Sequence, residues 1–310
     1  MTKVKQRAPA RVLAAPDKSL VPHVDSHRLP LFCDTALAER VERVEAHLIA
    51  GASRAAHQRR SAGDGFVIPI AGGVATFVEP DSPFNKVAGL GFAGEPSASD
   101  LVEVEQAFAA RGADVQIELS HLGDPRIGAL LTDRGYRLTS FENVLGLALD
   151  GEIESVAPHG VKVRPSGEKE FDAWLDVVAD GFAHPDTEGV PSHENVPHDV
   201  LARAERDFAA AGVVRYLALR DGVPAGGAGL HIADGVAQLA GSATAPAHRR
   251  RGIQSALLAA RLIDAAAAGC DIAVVTTQPG SKSQQNAQRR GFHLLYARVV
   301  IVKGIEAALQ

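Results

Sequence analysis

The stretch HRRRGIQSALLAARL, residues 248–262, places three arginines before a glycine and an alanine- and leucine-rich segment. Before it, VAQLAGSATAP, residues 236–246, is typical of a β-strand that stops at Pro246. The order strand, tight loop and helix start presents free backbone N–H groups to an anion. Gly252 lets a ligand approach the backbone, and the helix dipole and the arginines add positive charge. The stretch therefore predicts a phosphate-binding loop, with a solvated basic turn as the alternative.

An internal repeat places this loop in the second of two weakly similar halves. The order helix, strand, helix, strand occurs in both, and Gly112 and Gly269 close the first helix of each while Gly135 and Gly291 close the second. In the first half these elements are a helix at 100–112 with Ser99 as its cap, a strand at 113–120, a helix opened by Asp124 and Pro125, and a strand at 137–149. In the second half they are a helix at 255–269, a strand at 270–277, a helix opened by a capping box of Ser281 and Gln284, and a strand at 293–304.

Short strands precede the repeated elements in both halves. They are predicted at 65–73, 74–80, 84–92, 161–166, 213–222, 224–235 and 236–244, with helices at 169–182 and 198–211 and hairpin turns at Gly222 and Gly235. Hairpins followed by a βαβ unit indicate an α/β (α+β) fold with mixed, largely antiparallel central sheets. We expect a disordered tail at 1–29, one domain at 30–155 and a second at 156–310.

Composition excludes several classes of protein. The chain has 310 residues, a formal net charge of -5, 46% hydrophobic residues and a mean hydropathy of +0.00. No apolar run is long enough to span a membrane, and the mild acidity does not suggest a nucleic-acid binder. The start lacks the apolar region of a secretory signal. Cys33 and Cys270 lie far apart, which suits the reducing cytoplasm and gives no structural metal site.

The segment Arg249-Arg250-Arg251-Gly252-Ile253-Gln254, between a strand and an amphipathic helix, resembles the acetyl-CoA pyrophosphate loop of the GNAT superfamily of N-acetyltransferases. The pattern of that loop is Gln/Arg-x-x-Gly-x-Gly/Ala, and Gln254 departs from it at the last position. Residues 161–304 match the family in element order, and SQQNAQRRGF resembles its later helix and Gly-Phe ending. The first half resembles a degenerate second copy, which implies a tandem arrangement of two GNAT-like domains.

The resemblance implies direct transfer of an acetyl group from acetyl-CoA to a primary amine of a small molecule. The pantetheine arm would lie between two splayed parallel strands, 236–244 and 270–277, and backbone amides near Ala243 and Thr244 would polarise the thioester. The amides of Arg249, Arg250, Arg251, Gly252, Ile253, Gln254 and Ser255 would hold the pyrophosphate, with Asn286 nearby.

The acid and base residues are less well defined by the resemblance. Many members carry a tyrosine as general acid four residues before the Gly of the Gly-Phe pair, where this chain has Ala287. Tyr296 and Ser283 are the candidates that replace it, and a base acting through water, or none, is expected. An acidic loop containing Asp186 and Glu188 would cover the acceptor site and attract a cationic amine.

Other readings remain beside this one. An acetyl-CoA-binding regulatory or sensor protein without turnover is the alternative function, because the tyrosine is absent. The sequence GLGFAG, residues 89–94, spells a dinucleotide fingerprint, but no helix opens directly after it, so it is interpreted as a degenerate acetyl-CoA loop. We expect no nucleic-acid partner and no metal, and the chain as a monomer or homodimer; the acceptor is not identified by the sequence.

Overall fold

A computed structural model describes residues 31–60, 63–185, 190 and 197–305, all of which lie in one compact unit. The tail predicted at 1–29 lies outside the described residues. None of the helices described is long and apolar enough to cross a membrane. The architecture is the predicted α/β one, with helices on both faces of a mixed sheet.

The sheet contains eleven strands within the described part of the chain. In chain order they are β1 (Phe66–Ile70), β2 (Gly73–Phe77), β3 (Lys86–Leu90), β4 (Val115–Ser120), β5 (Arg137–Ala148), β6 (Val161–Pro165), β7 (Val214–Arg220), β8 (Val223–Ala233), β9 (Val236–Thr244), β10 (Ile272–Thr277) and β11 (His293–Lys303). Their spatial order is β1-β2-β3-β4-β11-β5-β10-β9-β8-β7-β6. The pairs β3–β4 and β9–β10 are parallel and the other pairs are antiparallel, which agrees with the predicted, largely antiparallel sheet.

The last strand of each half is exchanged with the other half. β5 closes the first half in sequence but pairs with β10 of the second, while β11 pairs with β4 of the first. The two exchanged strands also pair with each other, Val299 opposite Phe141. The halves therefore share one hydrogen-bonded sheet, so neither completes its own sheet alone, and the boundary at residue 155 stays a prediction.

Seven helices cover the sheet in the described ranges: α1 (Thr35–Arg60), α2 (Ala98–Ala109), α3 (Pro125–Asp133), α4 (Phe171–Ala183), α5 (His198–Ala210), α6 (Ile253–Ala267) and α7 (Lys282–Gln288). Leu239 of β9 packs in the cluster that contains α6, whereas Val236 packs in the cluster that contains α1. Side chains on a strand alternate between faces, so α6 and α1 lie on opposite faces. α4 and α5 share the face of α1, because Leu217 packs against α4 while its neighbour Tyr216 packs with α6.

The helix α1 has no counterpart among the predicted elements. Its buried residues Val41, Val44, Leu48 and Ala52 recur at helical spacing, a signal that was available before the structure. The helix lies across strands of both halves, where its residue Glu42 is fully buried. This missed element supplies most of the cover of the sheet face on which α5 also packs.

Most of the predicted hairpin turns and helix caps are present in the structure. Asp124 caps α3, and the hairpins at Gly222 and Gly235 have the positive φ angles, 84° and 74°, expected of such turns. The cap of α2 is Ser97 and not Ser99, because Ser97 and Asp100 form a reciprocal capping box. Ser281 caps α7 as predicted, but the amide that binds the side chain of Gln284 belongs to Gly280, one residue earlier.

Candidate functional site

The parallel strands β9 and β10 separate along their length, as predicted for the cofactor strands. Their ladder pairs Val236 with Ile272 and ends at Gln238 opposite Val274, although β9 continues to Thr244. A cavity of about 1430 Å³ begins at this gap. It extends to the starts of α6 and α7 and to the facing sides of α4 and α5, so residues from both faces of the sheet line it.

A β-bulge lies in the part of β9 that has left β10. Gly227 of β8 pairs with Ala243 and Gly229 pairs with Ala240, so Gly241 and Ser242 oppose the single residue Ala228. Gly241 has φ 38°, in the left-handed region that favours glycine. A bulged strand bends and twists more strongly than a regular one, which directs the end of β9 away from β10.

The loop between β9 and α6 presents the start of that helix to the cavity. Gly252 is the N-cap of α6, with φ 80° and no side-chain cap, so no side chain satisfies the amides of the first turn. A Cβ at Gly252 would lie 2.7 Å from Cγ of Pro158. Both the left-handed conformation and this close contact require glycine here, and the first turn of α6 has no side-chain cap at the position where the sequence predicts the phosphate-binding loop.

The three arginines of this loop occupy different positions. Arg249 lines the cavity, but its guanidinium donates to the carbonyl oxygens of Thr244 at 3.4 Å and Gly181 at 3.2 Å, and also to that of His184. It therefore holds the C-terminal end of α4 against the loop. Arg250 lines the cavity with a left-handed backbone, φ 59°. Arg251 is exposed and is not among the lining residues.

The family departure at Gln254 has a structural explanation. Gln254 lies in the first turn of α6, so its backbone is helical and its Cβ causes no strain. Its Oε1 accepts a hydrogen bond of 3.1 Å from Oγ of Ser242 in the β9 bulge. The longer side chain thus joins the helix start to the bulged strand across the cavity wall.

Several polar atoms around the gap are buried without a partner. They are Oγ1 of Thr244, Oγ1 of Thr277 and Nδ1 of His248, and all three residues line the cavity. Buried polar groups are normally hydrogen-bonded, so an orphaned group needs an explanation. A polar ligand in the gap would satisfy them, and the predicted residues Ala243, Ile253, Ser255, Ser283 and Asn286 line the same cavity. The site therefore fits a long ligand with an anionic end.

The structure separates Tyr296 from the other predicted site residues. Tyr296 is 1% exposed and does not line the cavity. Its hydroxyl donates to Oε1 of Glu42 at 2.6 Å, and Nε of Arg298 donates to the same oxygen at 2.7 Å. Burial, followed by the charge of Glu42, raises the pKa of this hydroxyl well above its ordinary value. Tyr296 belongs to a buried ionic cluster under α1 and not to the cavity.

Glu205 of α5 is a lining residue that the sequence reading missed. It is 7% exposed, and its carboxylate accepts no hydrogen bond among the described residues. Burial raises its pKa from 4.5 to about 7, although the charge of Arg215 acts in the opposite direction and lowers the pKa. Its Oε1 would lie 3.3 Å from a Cβ at Gly241, so the carboxylate is next to the bulge. The only sequence signal is its position four residues after Leu201, on the inner face of α5.

Further carboxylates line the cavity. Asp176 and Asp180 come from α4, and Glu142 comes from the exchanged strand β5. Burial first, and then the charge of Glu118, raises the pKa of Glu142 to about 7. The first half therefore contributes an acidic side chain to the cavity of the second. The predicted acidic residues Asp186 and Glu188 lie outside the described residues.

The segment GLGFAG, residues 89–94, differs from the arginine loop. The ladder of β3 and β4 still pairs Leu90 with Leu119 near the ends of both strands. The start of α2 that follows is occupied by its own side chains, because Oγ of Ser97 accepts from the amide of Asp100 and the Asp100 carboxylate accepts from the amide of Ser97. Neither an open gap nor an uncapped helix start occurs at this place in the first half.

The described residues contain no group of three or more His, Cys, Asp or Glu side chains that could hold a metal ion.

A known protein family matches part of the second half. Residues 181–292 match the family described as Acetyltransferase (GNAT) family. A search of the curated proteins gave no match to the chain. The matched residues contain the loop, α6, β10 and α7, so this part of the chain is similar to the acetyltransferases of that family.

Solved structures share the fold over a larger part of the chain. A GCN5-related N-acetyltransferase from Kribbella flavida is 21% identical with a TM-score of 0.57, covering 82% of this chain and 95% of that chain. A tandem GNAT protein from the clavulanic acid biosynthesis pathway is 12% identical with a TM-score of 0.56, covering 89% and 98%. A GCN5-related N-acetyltransferase from Sphaerobacter thermophilus is 18% identical with a TM-score of 0.51, covering 67% of each chain. At these identities the likeness concerns the fold alone.

Proposed function

We propose that the protein transfers an acetyl group from acetyl-CoA to a primary amine of a small molecule. The observation that carries the proposal is the joining, in one cavity, of the gap between β9 and β10 with the uncapped N-terminus of α6. A gap between parallel strands accepts an extended arm, and a helix start with free amides binds phosphate oxygens. The family match at residues 181–292 supports the acyl-transfer chemistry.

The residues for acetyl-CoA lie along the gap. The amides of Gly252, Ile253, Gln254 and Ser255 would bind the pyrophosphate, with the charge of Arg250 beside them. Backbone amides near Ala243 and Thr244, and the orphaned hydroxyls of Thr244 and Thr277, would bind the arm, with Ser283 and Asn286 of α7 opposite. When bound, acetyl-CoA would supply the thioester, whose carbonyl carbon the neutral amine nitrogen would attack. The carbon–sulfur bond would break, and the leaving CoA thiolate would take up the second proton lost by that nitrogen.

The acidic side of the cavity suits an amine acceptor. Glu205, Glu142, Asp176 and Asp180 give it a negative potential, which attracts an ammonium group and disfavours an anionic acceptor. An ammonium nitrogen cannot attack a carbonyl, so one proton must leave it first. We assign this proton to the carboxylate of Glu205, which accepts no hydrogen bond from the described residues and has a pKa of about 7, near the pH at which a general base works best.

The first half is proposed to be a copy without an acetyl-CoA site, since the corresponding helix start is capped by Ser97 and Asp100. One acetyl-CoA is then expected per chain. Both cysteines are free, Cys33 half-buried and Cys270 buried, which accords with the expected cytoplasmic location.

Two measurements test this function. Calorimetry with acetyl-CoA should give one site per chain, and Gly252→Val should abolish the binding. Thiol release with a panel of primary amines should then show turnover whose kcat/KM rises with pH through about pH 7, because the Glu205 carboxylate must be deprotonated. Glu205→Gln should bind acetyl-CoA normally and lose this pH-dependent limb.

Absence of acetyl-CoA binding by the natural chain would overturn the proposal. Binding without thiol release from any amine would instead favour a sensor of acetyl-CoA over an enzyme.

A further inference from the structure

A buried arginine with no carboxylate partner lies beside the bulge. Arg261 of α6 is 2% exposed, and no ion pair involves it in the described part of the chain. Burial lowers its pKa to about 10, so it remains charged at neutral pH. A buried charge is costly unless it is paired and hydrogen-bonded. The hydrogen bonds of Arg261 must therefore hold a part of the structure that an apolar residue at this position of α6 would not hold.

The donors of Arg261 go to backbone carbonyl oxygens at the edge of the bulge. Nη1 donates to the oxygen of Gly229 on β8 at 2.9 Å and to that of Ala240 on β9 at 3.4 Å. Nε donates to the oxygen of Leu257 in the preceding turn of α6, at 3.2 Å. Gly229 and Ala240 are the last residues paired across the two strands before the bulge begins. One guanidinium therefore joins α6, β8 and β9 at the point where β9 changes direction.

The arginine also lines the cavity that contains the gap. On the opposite face of the sheet, Oε1 of Glu205 lies against Gly241 of the bulge. The bulge is thus contacted from one face by a cationic donor group and from the other by a carboxylate. Arg261 is the one of these two that hydrogen-bonds to the backbone of both strands.

We propose that Arg261 is a positioning residue that fixes the β9 bulge, keeps β9 apart from β10, and thereby sets the affinity of the gap for the pantetheine arm of acetyl-CoA. A bulge interrupts the regular ladder, and the extra residue leaves backbone groups that need other partners. Nη1 of the guanidinium donates to carbonyls in two strands while Nε donates to Leu257 of α6, and an ammonium, which has a single nitrogen, cannot reproduce both positions. The identity of the ligand in this statement rests on the proposed function, but the effect on the bulge does not.

The test compares Arg261→Met, Arg261→Lys and Arg261→Ala with the natural protein. Methionine keeps much of the apolar stem but removes every donor, so we expect the Kd and the KM for acetyl-CoA to rise by about tenfold or more, a loss of about 1.4 kcal/mol per tenfold. The KM for the amine acceptor should stay within about twofold. Lysine should give an intermediate value, because its ammonium can still donate to strand carbonyls but lacks the second nitrogen that donates to Leu257. Exposed Arg54→Met of α1 controls for the loss of a positive charge.

Chemical rescue separates positioning from general loss of stability. Because Arg261 borders the cavity, added ethylguanidinium should restore acetyl-CoA binding to Arg261→Ala and have no effect on Arg54→Met. Hydrogen exchange of residues 236–244 should be faster in Arg261→Met and unchanged in the control.

An unchanged acetyl-CoA affinity in a folded Arg261→Met, or equal rises in both KM values without rescue, would overturn the role of Arg261. If the natural protein binds no acetyl-CoA, the proposed function fails, and the exchange measurement alone still decides whether Arg261 fixes the bulge.

Discussion

Replacing Glu205 by glutamine is expected to stabilise the folded protein above pH 7 while it removes the pH-dependent limb of the proposed acetyl transfer. Glu205 is 7% exposed and has no hydrogen-bond donor among the described residues, so the folded state resists its ionisation. In the unfolded chain the same carboxyl ionises freely in water. A glutamine has nearly the same shape and no charge, so it avoids the cost of a buried carboxylate.

The size of the effect follows from the pKa. Burial raises it from 4.5 to about 7, which at 1.36 kcal/mol per pKa unit corresponds to about 3 kcal/mol. Below pH 4.5 the carboxyl is protonated in both states and costs nothing by this mechanism. Between pH 4.5 and 7 the unfolded state loses its proton first, so the folded state loses stability as the pH rises. Above pH 7 the full cost is present, and the variant should gain the full difference.

Denaturant unfolding of the natural protein and Glu205→Gln at pH 4 and pH 8.5 measures this difference. We expect similar unfolding free energies at pH 4 and a variant more stable by about 3 kcal/mol at pH 8.5, or about 6 °C in Tm. Glu103→Gln, at an exposed position of α2, is the matched control and should show no such gain. Equal or lower stability of Glu205→Gln at pH 8.5 would refute the reasoning that Glu205 is ionised there without compensation.

Three further substitutions test other parts of the structure. Arg298→Met should destabilise the protein by about 3–5 kcal/mol in denaturant unfolding, because it leaves the buried carboxylate of Glu42 without its ion pair at 2.7 Å. Asp124→Ala should lower the unfolding free energy by about 1 kcal/mol, since it removes the side-chain cap of α3. Gly252→Val should cost roughly 1–3 kcal/mol in the same assay and abolish acetyl-CoA binding by calorimetry, because φ is 80° and Pro158 leaves no room. Stability within about 0.5 kcal/mol of the natural protein would contradict each of these expectations.

The sequence by itself determined the local features of the site. Gly252, the strand before it and the amphipathic helix after it predicted the anion-binding loop, because cap, turn and periodicity signals act over a few residues. The same local signals predicted the elements of the βαβ unit. The divergence of the strands at 236–244 and 270–277 was predicted from the family resemblance alone. The helix α1 was missed although its apolar spacing was readable.

The tertiary structure decided which side chains share the cavity. Tyr296 lies on the strand that the sequence predicted, but the exchange of β5 and β11 places it under α1, with its hydroxyl on Glu42. Glu205 and Arg261 look like ordinary charged positions of two helices, and only the packing of α5 and α6 on opposite faces brings both to the bulge of β9.

The physical reason is the range of each interaction. Helix starts, turns and strand periods depend on neighbours in sequence, so they can be read from it. Burial, pKa and access to a cavity depend on residues that are distant in the chain, and here they depend also on two strands exchanged between its halves. The proposed anion-binding loop is therefore a property of the sequence, whereas the proposed base and the support of the bulge are properties of the fold.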